Sequence, residues 1–143
     1  MHLDWRLIRF SAIGLLYAAV LFSLAAIEFP ASATVGSWLA NTMLPLTLGV
    51  VIAATSVMAL MIRRDRTIGM IGIHAGLLFA LVTPIALIWH GWSLWGQSRP
   101  VSQYVPMFIT AAFGGFAFTA MLRSRPPKEE RVAEPSKPQQ PAA

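Results

Sequence analysis

Four uninterrupted apolar runs constrain this chain more than any other feature of it. Phe10 to Ile27, Met43 to Ile62, Ile68 to Trp89 and Tyr104 to Leu122 have 18, 20, 22 and 19 residues, and none contains Asp, Glu, Lys or Arg. An α-helix rises about 1.5 Å per residue, so roughly 20 residues cross the ~30 Å hydrocarbon core of a bilayer. Inside lipid a backbone must satisfy its own hydrogen bonds, which a helix does within one segment. The apolar/polar alternation of a membrane barrel strand appears nowhere. The expected fold class is all-α: an integral membrane bundle of four antiparallel transmembrane helices over residues 1–125, with a disordered cytoplasmic tail over 126–143. That tail has five Pro in 18 residues and alternating charges, a composition that cannot bury a core.

Composition narrows the function classes. Hydrophobic residues are 56% of the chain and charged residues 12%, the latter about half the share of an ordinary soluble domain. A soluble enzyme, a disordered protein and a secreted disulfide scaffold are excluded together. With no Cys there is no disulfide, thiolate metal site, thiol nucleophile or covalent haem attachment.

Charge then orients the spans, because Lys and Arg collect on the cytoplasmic side. Arg6 and Arg9 precede the first run, and Arg63, Arg64 and Arg66 lie between the second and third. Arg123, Arg125, Lys128, Arg131 and Lys137 follow the fourth, leaving Arg99 alone on the opposite side. Both termini are therefore expected in the cytoplasm, and the membrane is read as a bacterial inner membrane. Trp38, Trp89, Trp92, Trp95 and Tyr104 fall at the exterior boundary and Trp5 at the cytoplasmic one, as amphipathic rings prefer. Trp89, Trp92 and Trp95 recur every three residues and form one stripe on a continuing helix. Such a stripe anchors in the headgroup region, or presents a docking surface to an exterior partner with Arg99 beside it. Ala31-Ser32-Ala33 matches a signal-peptidase site. The preceding apolar run exceeds the usual length of about 7–15 residues, so an uncleaved first helix is expected.

Local signals mark helix starts: Asn41 and Thr42 before Pro45, Ser102 before Pro106, and Thr67 as cap of the third span. Pro84 interrupts the third span and should kink it, with Thr83 compensating for the Ala80 carbonyl it deprives of a partner.

His74 is the candidate intramembrane polar site, since it is the one His, Asp, Glu, Lys or Arg well inside a run. Its plain role is a hydrogen bond to Thr55, Ser56, Thr119 or Ser11 on a neighbouring helix; its functional role would be proton or ligand handling. A haem held by His74 and His90 is excluded by geometry, because 16 residues along one helix put them about 24 Å apart on nearly opposite faces. His90 and the terminal His2 are read as surface residues, and Glu28 as a hydrated carboxylate at the exterior edge. Gly69, Gly72, Gly76 and Ala80 line a small-residue groove containing G-x-x-x-G. That groove packs a helix of the same bundle, or forms a seam with another chain.

No convergent nucleophile–base pair, carboxylate pair or metal cluster is visible, and no cofactor is expected. The basic residues flank the membrane and no Gly-rich phosphate loop is present, so nucleic acid is not an expected partner. The expected partners are the lipid bilayer, a second copy in a homo-oligomer, or a larger membrane complex. The leading reading is a non-catalytic accessory or assembly subunit interacting through helix packing. The alternatives are a small proton-linked transporter or channel centred on His74, and a holin-like pore former.

Overall fold

A computed structural model of the chain describes residues 5–31 and 39–125. Trp38, the candidate cleavage site after Ala33 and the tail over 126–143 lie outside the described residues. The described residues contain no strand. They form α1 (Trp5–Ala31), a π-helical turn (Leu39–Met43) leading into α2 (Leu44–Leu60), a 3-10 turn (Met61–Arg63), α3 (Arg66–Gly96) and α4 (Val101–Arg123). All four apolar runs fall on helices long and apolar enough to cross a membrane.

The ends of these helices follow local chemistry, with two differences from the sequence expectation. Asp65, not Thr67, caps α3: its carboxylate accepts from the backbone N–H of Thr67 at 2.9 Å and Ile68 at 3.1 Å. A carboxylate there satisfies orphan donors and complements the positive end of the helix dipole. Helix α4 begins after Pro100 rather than at Ser102, so Pro106 lies inside it instead of in its first turn. Pro45 does sit in the first turn of α2, where a missing N–H costs nothing. In α3, Thr83 Oγ1 donates to the Phe79 carbonyl at 2.6 Å, one residue short of the Ala80 carbonyl that Pro84 leaves without its usual donor.

Consecutive helices are neighbours and α1 also packs on α4, so the four form a ring. Between α1 and α2, Gly14 faces Ser56 and Gly49 faces Leu21 and Phe22. Between α2 and α3, Gly69 faces Ile62, Gly72 faces Met58 and Ala59, and Gly76 faces Thr55. In both pairs, contacts ascend one helix as they descend the other.

Small residues set how closely these helices approach. A Cβ on Gly72 would lie 2.5 Å from the Ala59 nitrogen and 2.8 Å from the Met58 carbonyl carbon, so the backbones of α2 and α3 touch there. In a bilayer, where lipid tails are as apolar as Leu, dispersion between backbones this close would favour association more than exclusion of water does. Inside the ring lie two apolar clusters, one around Tyr17, Leu21, Ile52, Leu87 and Met107, the other around Phe10, Ala59, Ile73 and Met121. The outer wall is equally apolar: Leu16, Val50, Leu78, Ile85, Ile109 and Phe116 are all exposed. Contiguous exposure of this kind is rare in a soluble monomer.

Candidate functional site

The residues singled out by sequence separate into three places. His74 is exposed on the flank of α3. Its Nδ1 lies 2.8 Å from the Met70 carbonyl one turn earlier, and its Nε2 lies 3.4 Å from Nη2 of Arg125. This pattern is met by the tautomer that donates from Nδ1 and accepts at Nε2. The four hydroxyl residues expected as partners are engaged elsewhere or turned away. Thr55 bonds Val51 and Ile52, Ser56 bonds Ile52 and Thr119 bonds Gly115, each on its own helix. Ser11 Oγ is buried with no hydrogen-bond partner. Arg125 and His74 are 51 residues apart in the chain, and matching depth on adjacent helices was the one signal that could have paired them.

Gly69, Gly72, Gly76 and Ala80 are all buried. Gly69 presses against the backbone of Ile62 in the 3-10 turn and Gly72 against that of α2, while a Cβ on Gly76 would meet Phe10 and Thr55 at an ordinary 3.5 Å. This groove therefore seats a helix of the same chain. Trp89, Trp92 and Trp95 sit at the opposite end of α3 and are 80%, 62% and 54% exposed. The Trp92 and Trp95 rings meet edge to face, centroids 5.0 Å apart. Together with Ile88, Tyr104 and Phe108 they line an apolar cleft of about 640 Å³ between α3 and α4. Arg99 is exposed on the adjoining turn, as are Arg6, Arg9, Arg63, Arg64, Arg66 and Arg123 at the other end of the bundle, with Arg125 half-buried.

A third place was misread from sequence. His90 is half-buried rather than a surface residue, and its Nε2 lies 2.6 Å from Oδ1 of Asn41. With Nε2 protonated, the imidazole donates and the amide oxygen accepts. Glu28, expected to be hydrated, is only 1% exposed, and Asn41 and Thr42 are buried beside it in rank at 2% and 4%. These groups share one level of the bundle. Gly49 faces Leu21 and Phe22, and moving about seven residues outward from that contact on each helix, some 10 Å, reaches Glu28 on α1 and Asn41–Thr42 in the π-helical turn. Contact between α1 and that turn agrees with this register.

The arrangement thus gathers a carboxyl, an amide, a hydroxyl and an imidazole at the level of the π-helical turn. Buried polar groups are costly unless hydrogen-bonded, so this layer ties the π-helical turn to α3. Periodicity could not find it, because Glu28 and Asn41 sit at the ends of their runs, where exposure is the default. No group of three His, Cys, Asp or Glu side chains able to hold a metal ion gathers among the described residues. No known protein family, curated protein or solved structure matches the chain.

Proposed function

We propose that the chain is a multi-pass integral membrane protein, an up-and-down antiparallel four-helix bundle, that acts as a non-catalytic accessory or assembly subunit. The observation carrying this reading is the contrast between its two candidate interaction faces. The small-residue groove is filled by the chain's own α2, whereas the Trp89–Trp92–Trp95 face is left open at one end of the bundle. Exposed Trp is favoured at interface hot spots as well as at the headgroup level. The Lys and Arg distribution supports cytoplasmic termini, with the Trp face on the exterior side of a bacterial inner membrane.

Extraction of the tagged protein in a mild detergent, followed by mass spectrometry of stoichiometric companions, tests the subunit reading. A defined partner lost on replacing Trp89, Trp92 and Trp95 by Ala is the expected outcome. A protein that purifies alone, or as copies of itself, overturns it.

A second reading, a proton-linked transporter or channel, draws on the buried Glu28–Asn41–Thr42–His90 level rather than on His74, whose ring lies on the outer wall. It requires pH-dependent flux in liposomes that Glu28→Gln abolishes and His74→Ala leaves in place. Flux indifferent to Glu28→Gln refutes it.

A further inference from the structure

At the end of the bundle opposite the Trp stripe, α1 and α4 enclose a recess of about 490 Å³. Trp5, Arg6 and Arg9 line it from α1; Phe116, Thr119 and Arg123 line it from α4, with Ser124 at the helix end. Three arginines from two helices therefore line one cavity. Clustered like charges oppose one another, and an anion among them converts that repulsion into attraction. None of the described lining residues is acidic. The two hydroxyls already donate to their own helix, Thr119 to Gly115 at 2.9 Å and Ser124 to Ala120 at 2.8 Å. The donors offered to a ligand are thus those of Arg9 and Arg123, whose planar forks suit the paired oxygens of a phosphate.

The recess also has a direction. Phe116 lies seven residues before Arg123 on the same face of α4, about 10 Å deeper along the bundle. Both Phe116 and Trp5 are 72% exposed, so the cavity opens on the apolar outer wall rather than into the interior. A ligand filling it carries negative charge at the Arg level and hydrocarbon at the Phe116 level. Arg63, Arg64 and Arg66 have the same sign and lie at the same end, but they do not line this cavity.

We propose that this recess binds an anionic phospholipid, its headgroup phosphate held by Arg9 and Arg123, and its acyl chain lying along Phe116. Basic pockets between membrane helices are suited to such headgroups. The proposal rests on α1 and α4 being membrane spans, which labelling of single cysteines tests separately. Correct topology without lipid selectivity overturns the site alone, and wrong topology overturns the span reading.

The test is native mass spectrometry of the full chain released from detergent with added phosphatidylglycerol, phosphatidylcholine or inorganic phosphate. Phosphatidylglycerol is expected to stay bound while phosphatidylcholine does not. The double variant Arg9→Gln/Arg123→Gln should weaken phosphatidylglycerol about tenfold or more, as expected for losing charge-assisted hydrogen bonds. Arg63→Gln/Arg64→Gln, with the same charge change outside the recess, should leave it bound. Should the Gln variant fail to fold by circular dichroism, Arg9→Lys/Arg123→Lys keeps the charge, removes the fork and should still weaken binding. Equal retention of the two lipids overturns the proposal, as does equal loss in the control pair. Inorganic phosphate that displaces phosphatidylglycerol completely would make this a free-phosphate site and overturns it too.

Discussion

Replacing Gly72 and Gly76 separately by Ala distinguishes packing by backbone contact from packing by composition alone. A Cβ on Gly72 would lie 2.5 Å from the Ala59 nitrogen, whereas ordinary contact begins at 3.4 Å, so α2 and α3 must part locally by about 0.9 Å. A gap of that size forfeits roughly a quarter to a half of the dispersion energy of the atoms lining it. Overpacking of this kind costs about 1–3 kcal/mol, against a gain of about 0.8–1 kcal/mol from Ala over Gly in a helix interior. Gly72→Ala is therefore expected to destabilise the bundle by about 1 kcal/mol, within a span of about 0–2 kcal/mol. Gly76 is one turn away, and its nearest neighbours would stand 3.5 Å from a new Cβ. Gly76→Ala then keeps the propensity gain, and the change is neutral or stabilising by up to about 1 kcal/mol. Helicity followed by circular dichroism during titration of the detergent-solubilised protein with sodium dodecyl sulfate reads both variants against the parent. Equal losses at the two positions, or a smaller loss at Gly72, would refute close backbone contact as what joins α2 and α3.

Three further expectations concern single contacts. Asn41→Ala should cost about 1–3 kcal/mol by leaving the His90 donor half-buried without its acceptor, while Asn41→Leu/His90→Leu should cost much less, and a strictly additive double variant would remove the coupling. Tyr17→Phe should leave stability unchanged or raise it by up to about 1 kcal/mol, because the phenol oxygen is buried against Gly114 without a hydrogen bond; a clear loss in the same titration would mean that it has one. Asp65→Ala should cost about 0.5–2 kcal/mol through loss of the α3 cap, whereas Thr67→Ala, which keeps both capping bonds, should cost little; the reverse ranking would restore Thr67 as the cap.

Much of the architecture was legible because span length and the absence of charge are one-dimensional properties of a sequence. Each uncharged run became a helix, and the small-residue spacing of Gly69, Gly72, Gly76 and Ala80 identified a face that is buried. Competition between nearby caps was harder to read. Asp65 outcompetes Thr67 because a carboxylate two and three residues before the free N–H groups reaches both of them. The outer polar level was not legible at all. Whether Glu28 and His90 meet water depends on how the π-helical turn packs against α1 and α3, and no periodicity records that. His74 presents the converse problem: rarity in an apolar run draws attention to it, yet its ring lies on the flank of α3 beside Arg125. The arginines were readable from sequence only as a sum of charge. Which of them share a cavity followed from the pairing of α1 with α4.

The account stands on the four helices crossing the bilayer with both termini in the cytoplasm. The chain contains no Cys, so single-cysteine variants report without background. Gln97 lies on the exposed turn between α3 and α4, and Thr67 is exposed in the first turn of α3. Treating intact cells with a membrane-impermeant maleimide should label Gln97→Cys, and should label Thr67→Cys only after the membrane is opened. Labelling of both sites in intact cells, or of Thr67→Cys alone, would contradict it.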